Sequence, residues 1–323
     1  MKGVIVEVRG NGGGLLIEAV NIANVFIPKG ELVVTTRGKI KDWDRNFNTL
    51  NNPVDLDIPL AILVDEGSAS ASEIVAGVLQ DLDRAVLIGQ KSFGKGLVQN
   101  TRDVGFNSRV KMTTAKYYIP SGRCIQAVSY KDGKPVHIED KDRASFKTKN
   151  GRPVLDGGGV TPDVNLEGDR KSAAIYGLLR KNLIFDYTTQ YVADHPQIAS
   201  AREFSITDGD YNAFVAFVNS EKYDYQTDSE KAVTALEKKA KKENYYDAIK
   251  DDITAMQEKI VQDKKNDLFK YKKEIKNLLE REIVSRYYYE KGRIQVGLKN
   301  DEEVKKAVDI LNSDSKYHAL LSN

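Results

Sequence analysis

Leu60-Ala61-Ile62-Leu63-Val64-Asp65-Glu66-Gly67-Ser68-Ala69-Ser70-Ala71-Ser72-Glu73-Ile74 brings two hydrophobic patterns together at one turn. Its first five residues are an unbroken apolar run of strand length, and beyond the turn Ile74, Val75, Val78 and Leu82 recur at helical spacing. A strand that turns sharply into a helix sets the side chains of the turn at the helix's positive end, where free N–H groups and the macrodipole favour developing negative charge. Such a turn is a good seat for a serine nucleophile. It is also an ordinary helix start, because Ser70-Ala71-Ser72-Glu73 has the capping-box pattern, in which the serine oxygen accepts from a backbone N–H and the glutamate reaches back. Caps are common and nucleophiles rare, so this stretch alone favours the cap, and a base is needed to decide otherwise.

Upstream, residues 2–8 are β-rich, Arg9-Gly10-Asn11-Gly12-Gly13-Gly14 follows, and a helical pattern over 15–27 stops at Pro28. The glycine turn reads either as a flexible connection or as a backbone donor site for an oxyanion or phosphate. Residues 31–36 predict a strand, and 39–59 a polar surface excursion. Downstream, Ala85-Val86-Leu87-Ile88-Gly89 is another apolar strand. The β, α, β order predicts a layered α/β core with right-handed crossovers.

Gly89-Gln90-Lys91-Ser92-Phe93-Gly94-Lys95-Gly96-Leu97-Val98-Gln99 comes within one residue of a phosphate-binding loop, but Gly96 stands where a hydroxyl should hold magnesium. The residues after it read as a strand, so the helix N-terminus that cradles phosphates is missing. What the segment does supply is Lys95 in a glycine turn beside apolar residues. Lysine acts as a base near neutrality only where an apolar setting disfavours its charged form. The three histidines, His137, His195 and His318, all lie beyond residue 136, so a base for Ser70 is sought among lysines and carboxylates.

Residues 110–118 alternate as a long strand, 129–152 read as an exposed hairpin or loop, and 156–164 as a turn and short strand. From about residue 169 long charged segments take over. Ile249, Ile253, Met256 and Ile260 form one helical stripe, and Leu268, Tyr271, Ile275, Leu278 and Leu279 another. Tyr287-Tyr288-Tyr289 reads as partly buried packing. Charged residues make up 30% of 323 with a net charge of only +2, and acids are interspersed among the lysines, which argues against nucleic acid as a partner. The one cysteine, Cys124, excludes an intrachain disulfide and a cysteine metal site. No segment reads as a signal peptide or a membrane span.

With Arg9-Gly10-Asn11-x-Gly13-Gly14, Gly67-Ser68-Ala69-Ser70-Ala71-Ser72-Glu73-Ile74 and Phe93-Gly94-Lys95-Gly96-x-Val98-Gln99 in this order, the chain resembles the carboxy-terminal processing, or tail-specific, serine proteases over about residues 3–168. The resemblance implies a crotonase- or ClpP-like ββα catalytic core over 1–168, followed by a mostly α-helical domain over 169–323. It implies Ser70 as nucleophile and Lys95, 25 positions later, as general base. It further implies that Gln99 orients the Lys95 amine and that Glu73 supports the site. The N–H of Ala71 and one from Gly12 or Gly13 would hold the oxyanion. The implied chemistry is an acyl-enzyme serine endopeptidase acting near flexible protein C-termini, without metal or organic cofactor. The implied setting is the periplasm or cell envelope; a homo-oligomer through the helical domain belongs to a competing expectation, that of an assembly protein.

Two departures accompany the resemblance. Gly12 stands where the family commonly has proline, which loosens the turn. Family members also carry a PDZ domain of roughly ninety residues before the first strand seen here, so the expectation is a protein truncated at its N-terminus. The competing expectation is a non-catalytic binding or assembly protein.

Overall fold

The apolar run at 60–64 is a strand buried along its whole length, and both faces of its sheet are covered. The computed structural model describes residues 2–131, 134–136, 138–168 and 172–322. The chain divides into two compact units, Met1–Gly168 with Glu302–Asn323, and Asp169–Asp301.

The first unit contains β1 (Val4–Glu7), α1 (Leu16–Asn24), β2 (Leu32–Gly38), β3 (Arg45–Asn48), β4 (Leu60–Val64), α2 (Ala71–Asp81), β5 (Val86–Gly89), β6 (Leu97–Gly105) and β7 (Ser108–Tyr118). Four short strands then form two hairpins, β8 (Ser129–Lys131) with β9 (Lys134–Val136) and β10 (Ser145–Lys147) with β11 (Pro153–Leu155). The last strand is β12 (Val164–Asn165).

Strands β1, β4, β5 and β12 make a parallel sheet in the order β1-β4-β5-β12. Side chains alternate across a strand, so the continuous apolar run of β4 serves two cores. Leu60, Ile62 and Val64 pack with residues of α1 and α2, including Ala19, Ile74 and Val78. Ala61 and Leu63 face Ala307, Ile310, Leu311 and Tyr317. Those partners sit on two helices at the end of the chain, Glu302–Leu311 and Asp314–Leu321, and the Tyr317 hydroxyl accepts from Leu60 N–H at 2.9 Å. Sequence pattern assigns everything from 169 to 323 to one helical domain; the structure returns 302–323 to the α/β unit. The second face of a parallel sheet must be covered, and these helices cover it.

A second, antiparallel sheet has the order β3-β2-β7-β6. The excursion at 39–59 contains β3, which folds back on β2. The strand expected after Lys95 runs to Gly105 and pairs with β7 as a long ribbon.

In chain order after α2, the second unit contains α3 (Ala173–Arg180), α4 (Leu183–Asp194), α5 (Asp208–Ser220), α6 (Asp228–Lys242), α7 (Tyr246–Lys264), α8 (Asp267–Lys270) and α9 (Lys272–Lys299). Its core joins Leu178, Ile184, Tyr211, Phe214 and Val218 to Leu268, Ile275, Leu279 and Ile283. The second helical stripe is therefore core. Of the first stripe only Ile253 is buried and Met256 is exposed, because α7 packs chiefly on α6 along a narrow seam. Tyr287 packs against the core, whereas Tyr288 and Tyr289 are exposed.

Candidate active site

The turn after β4 is stitched to the glycine turn after β1. The Asp65 carboxylate accepts from the N–H groups of Gly10 and Gly67 at 2.8 and 2.9 Å. The Ser68 hydroxyl donates to the Val8 carbonyl at 2.8 Å, and Ala69 N–H donates to the Asn11 carbonyl at 3.0 Å. Ser70 follows with φ 58° and ψ −118°, half-buried. A non-glycine residue held there costs about 1–3 kcal/mol and persists only where its surroundings fix it.

Glu73 does the fixing. Its fully buried carboxylate accepts from Ser70 N–H at 2.8 Å, Lys95 N–H at 2.8 Å, Gly94 N–H at 2.6 Å and the Ser92 hydroxyl at 2.5 Å. One side chain thus ties the backbone of Ser70 to the backbone of the Gly94-Lys95 turn. Burial pushes the Glu73 carboxyl above the ordinary glutamate value, against the pull of these four donors. Ser70 and Glu73 form a capping box, with the Ser70 side chain set toward the Glu73 main chain, yet the hydroxyl completes no cap hydrogen bond; Glu73 N–H donates to the Ser70 carbonyl, at 2.9 Å.

The buried Tyr117 hydroxyl lies beside the Ser70 side chain and donates to the Lys95 carbonyl. Burial first and the nearby Glu73 charge second push the Tyr117 phenol far above its ordinary value, so it stays protonated as a donor. Sequence reading missed Tyr117, which is the penultimate residue of an alternating strand pattern with nothing to set it apart.

The remaining expected residues are placed less uniformly. Gly13 has φ +89°, and a Cβ there would lie 2.7 Å from Ala71 N and 2.9 Å from Ser70 Cβ. The two turns therefore meet only because residue 13 is glycine. Among the described residues Ala71 N–H and Gly12 N–H have no hydrogen-bond acceptor, so both are open to a ligand. Gly13 N–H is not: it donates to the Asn11 side chain at 2.9 Å, which removes it as an oxyanion donor in this conformation. Lys95 is brought next to Ser70 through its main chain, but its side chain is exposed, contrary to the expectation of an amine stripped of water. The glycines on either side, Gly94 and Gly96, are buried against Ala127 and Gln126, so the turn is packed while the lysine side chain itself is exposed. Gln99 is exposed on β6 and pairs across the ribbon with Thr113; among the described residues no hydrogen bond joins it to the Lys95 amine.

His195 stacks on Tyr191 in the helical unit with ring centroids 3.9 Å apart, His318 sits on the last helix, and His137 lies outside the described residues. Among the described residues no cluster of His, Cys, Asp or Glu has metal-site geometry, and no helix is long and apolar enough to cross a membrane.

Residues 1–133 match peptidase family S41, and residues 174–311 match the family described as probable PDZ-protease, C-terminal helical domain. A carboxy-terminal-processing protease of Bartonella bacilliformis is 44% identical over 128 residues, 40% of this chain and 29% of that protein. A probable CtpA-like serine protease of Staphylococcus aureus is 44% identical over 133 residues, 41% of this chain and 26% of that protein. The chain thus spans less than a third of the length of these relatives. Among solved structures, a photosystem II D1 C-terminal processing protease is 32% identical, covering 52% of this chain and 35% of its own, with a TM-score of 0.38.

Proposed function

On the premise that residues 1–133 are a peptidase family S41 segment and residues 174–311 a PDZ-protease C-terminal helical domain, we propose that the chain is a serine endopeptidase. It cuts near the C-terminal tails of protein substrates, with Ser70 as nucleophile and Lys95 as general base. The observation that carries this reading is the Glu73 carboxylate, which holds the Ser70 and Lys95 main chains on one buried group and leaves the Ser70 hydroxyl uncommitted to the helix cap.

The Ser70 oxygen attacks the peptide carbonyl while its proton passes to the neutral Lys95 amine, giving a tetrahedral oxyanion. Ala71 N–H and Gly12 N–H face that charge; losing one such donor typically costs about 3 to 4 kcal/mol in the barrier. The amine's proton then goes to the leaving nitrogen, the C–N bond breaks and an acyl-enzyme remains. Water hydrolyses the ester and restores the serine. The step requires water to be excluded from Lys95, and the bound peptide lying over its exposed side chain supplies that cover. Gln99 orients the amine once it is covered. Placement in the periplasm or cell envelope rests on the family resemblance alone.

Incubation with an unstructured peptide, beside Ser70→Ala and Lys95→Ala, tests the reading: the wild-type chain cleaves and both variants do not. Cleavage indifferent to either change overturns it. The exposed Lys95 side chain favours a second reading, a non-catalytic assembly protein that oligomerises through its helical unit. Light scattering that shows an oligomer, together with an unreactive serine, selects that one.

A further inference from the structure

A cleft of about 290 Å³ on the antiparallel sheet takes no part in the chemistry above. Trp43, Arg45, Val98, Asn100, Arg102 and Thr114 are among the residues that line it, and no acidic side chain does. The Arg102 guanidinium lies 5.5 Å over the Trp43 ring, and among the described residues no salt bridge joins it to a carboxylate. Arg45 donates to the carbonyl oxygens of Asp42 and Asp44 at 2.6 and 2.8 Å, and among the described residues it too forms no salt bridge. Two such cations, beside an indole, a valine, an amide and a hydroxyl, complement an anion carried on an apolar body. The α-carboxylate and last side chain of a polypeptide have that chemistry.

The register of the sheet relates this cleft to Ser70. Thr36 pairs with Tyr117, Gly38 pairs with Ala115, and Ala115 pairs with Val98. Paired residues, and residues two apart on one strand, project from the same face. The cleft therefore opens on the face that carries Tyr117, whose hydroxyl meets Ser70. Arg45 pairs with Thr36 and so lies two strands from Tyr117, about 10 Å across the sheet. Arg102 pairs with Val110 and lies about 20 Å along the ribbon from Tyr117. An extended peptide spans such distances with about three to six residues.

We propose that this cleft binds the C-terminal carboxylate of the polypeptide to be cut, so that Ser70 releases a fragment of about three to six residues. The proposal rests on the protease reading for the cut and on the cleft alone for the binding, and the two are separable. Trp43 is the only tryptophan in the chain, so its fluorescence reports from the cleft itself.

The test titrates the full chain carrying Ser70→Ala, which cannot turn over, with an unstructured twelve-residue peptide ending in a free carboxylate, and with the same peptide amidated at its C-terminus. The free acid is expected to change Trp43 fluorescence saturably, with affinity falling about tenfold on amidation and again with Arg102→Gln or Arg45→Gln. Arg102→Lys retains part of the discrimination, and added salt weakens it. Equal affinity for acid and amide, in variants whose circular dichroism matches the parent, overturns the proposal. So does a peptide cleaved by the wild-type chain with Trp43 silent, which leaves the protease reading standing. Discrimination between acid and amide without any cleavage by the wild type keeps the cleft and removes the protease reading.

Discussion

Among the described residues three helices begin with a hydroxyl residue followed three positions later by an acid, one in the α/β unit and two in the helical unit. At Thr207 and Thr227 the box is ordinary: φ is −70° and −84°, and each hydroxyl accepts from the N–H of Asp210 or Glu230 at 3.1 Å. Each acid returns the bond to the threonine N–H, at 3.0 and 2.6 Å. At Ser70 the same pattern gives φ 58°, a hydroxyl without a cap hydrogen bond, and an acid whose carboxylate is shared with a second turn. The same four-residue pattern builds a cap where nothing else competes for the acid. It builds a strained serine with a hydroxyl free of the cap where buried N–H groups from elsewhere do compete.

Substitutions at these three starts separate the two uses. The largest effect is expected from Ser70→Ala, which should lower peptide cleavage by at least about four orders of magnitude. Urea unfolding should barely register that change, since the hydroxyl makes no cap bond. Glu73→Gln comes next: the amide offers one acceptor oxygen to four donors and turns an N–H₂ toward others, which should cost about 3 kcal/mol in stability as well as activity. Burial raises the Glu73 carboxyl in the folded chain above its unfolded value. Its contribution to stability is then complete below the ordinary glutamate value and is lost as the pH rises through the raised one. The penalty of Glu73→Gln should therefore be greatest in acid and shrink toward neutrality, as urea midpoints between about pH 4 and 8 would show.

Gly13→Ala tests the contact between the two turns. A methyl group there must accept a positive φ and sit 2.5 Å from the Ala69 carbonyl oxygen, in front of the Ala71 N–H. A loss of about 2–4 kcal/mol in stability, with a matching fall in cleavage, is expected. The smallest effect belongs to the ordinary starts: Thr227→Ala should cost about 1 kcal/mol and leave cleavage unchanged. If Thr227→Ala altered cleavage, or Ser70→Ala cost as much stability as Thr227→Ala, the distinction between the starts would fail.

Local pattern made the central strand legible, because a run such as 60–64 without polar alternation fits only a position covered on both faces. It did not say what supplies the second cover. The helices at 302–311 and 314–321 carry the same kind of amphipathic spacing as those of the helical unit, and only tertiary packing pairs them with Ala61 and Leu63. Ser70, Glu73 and Lys95 were legible through motifs that each carry a small residue or a turn beside them. Tyr117 was not, since its role depends on a ring reaching from one sheet to the helix start of another. The commitment of Gly13 N–H to Asn11 and the exposure of Lys95 are likewise settled by side-chain placement that no spacing encodes.

The central claim is that Ser70 is an alcohol made reactive by Lys95. Intact-mass and peptide mass spectrometry after treatment with a fluorophosphonate, run on the wild-type chain, Ser70→Ala and Lys95→Ala, measures this directly. One adduct per chain, mapped to Ser70 and missing from both folded variants, is the predicted result. No adduct on the folded wild-type chain, an adduct at another residue, or one that persists undiminished in Lys95→Ala would contradict it.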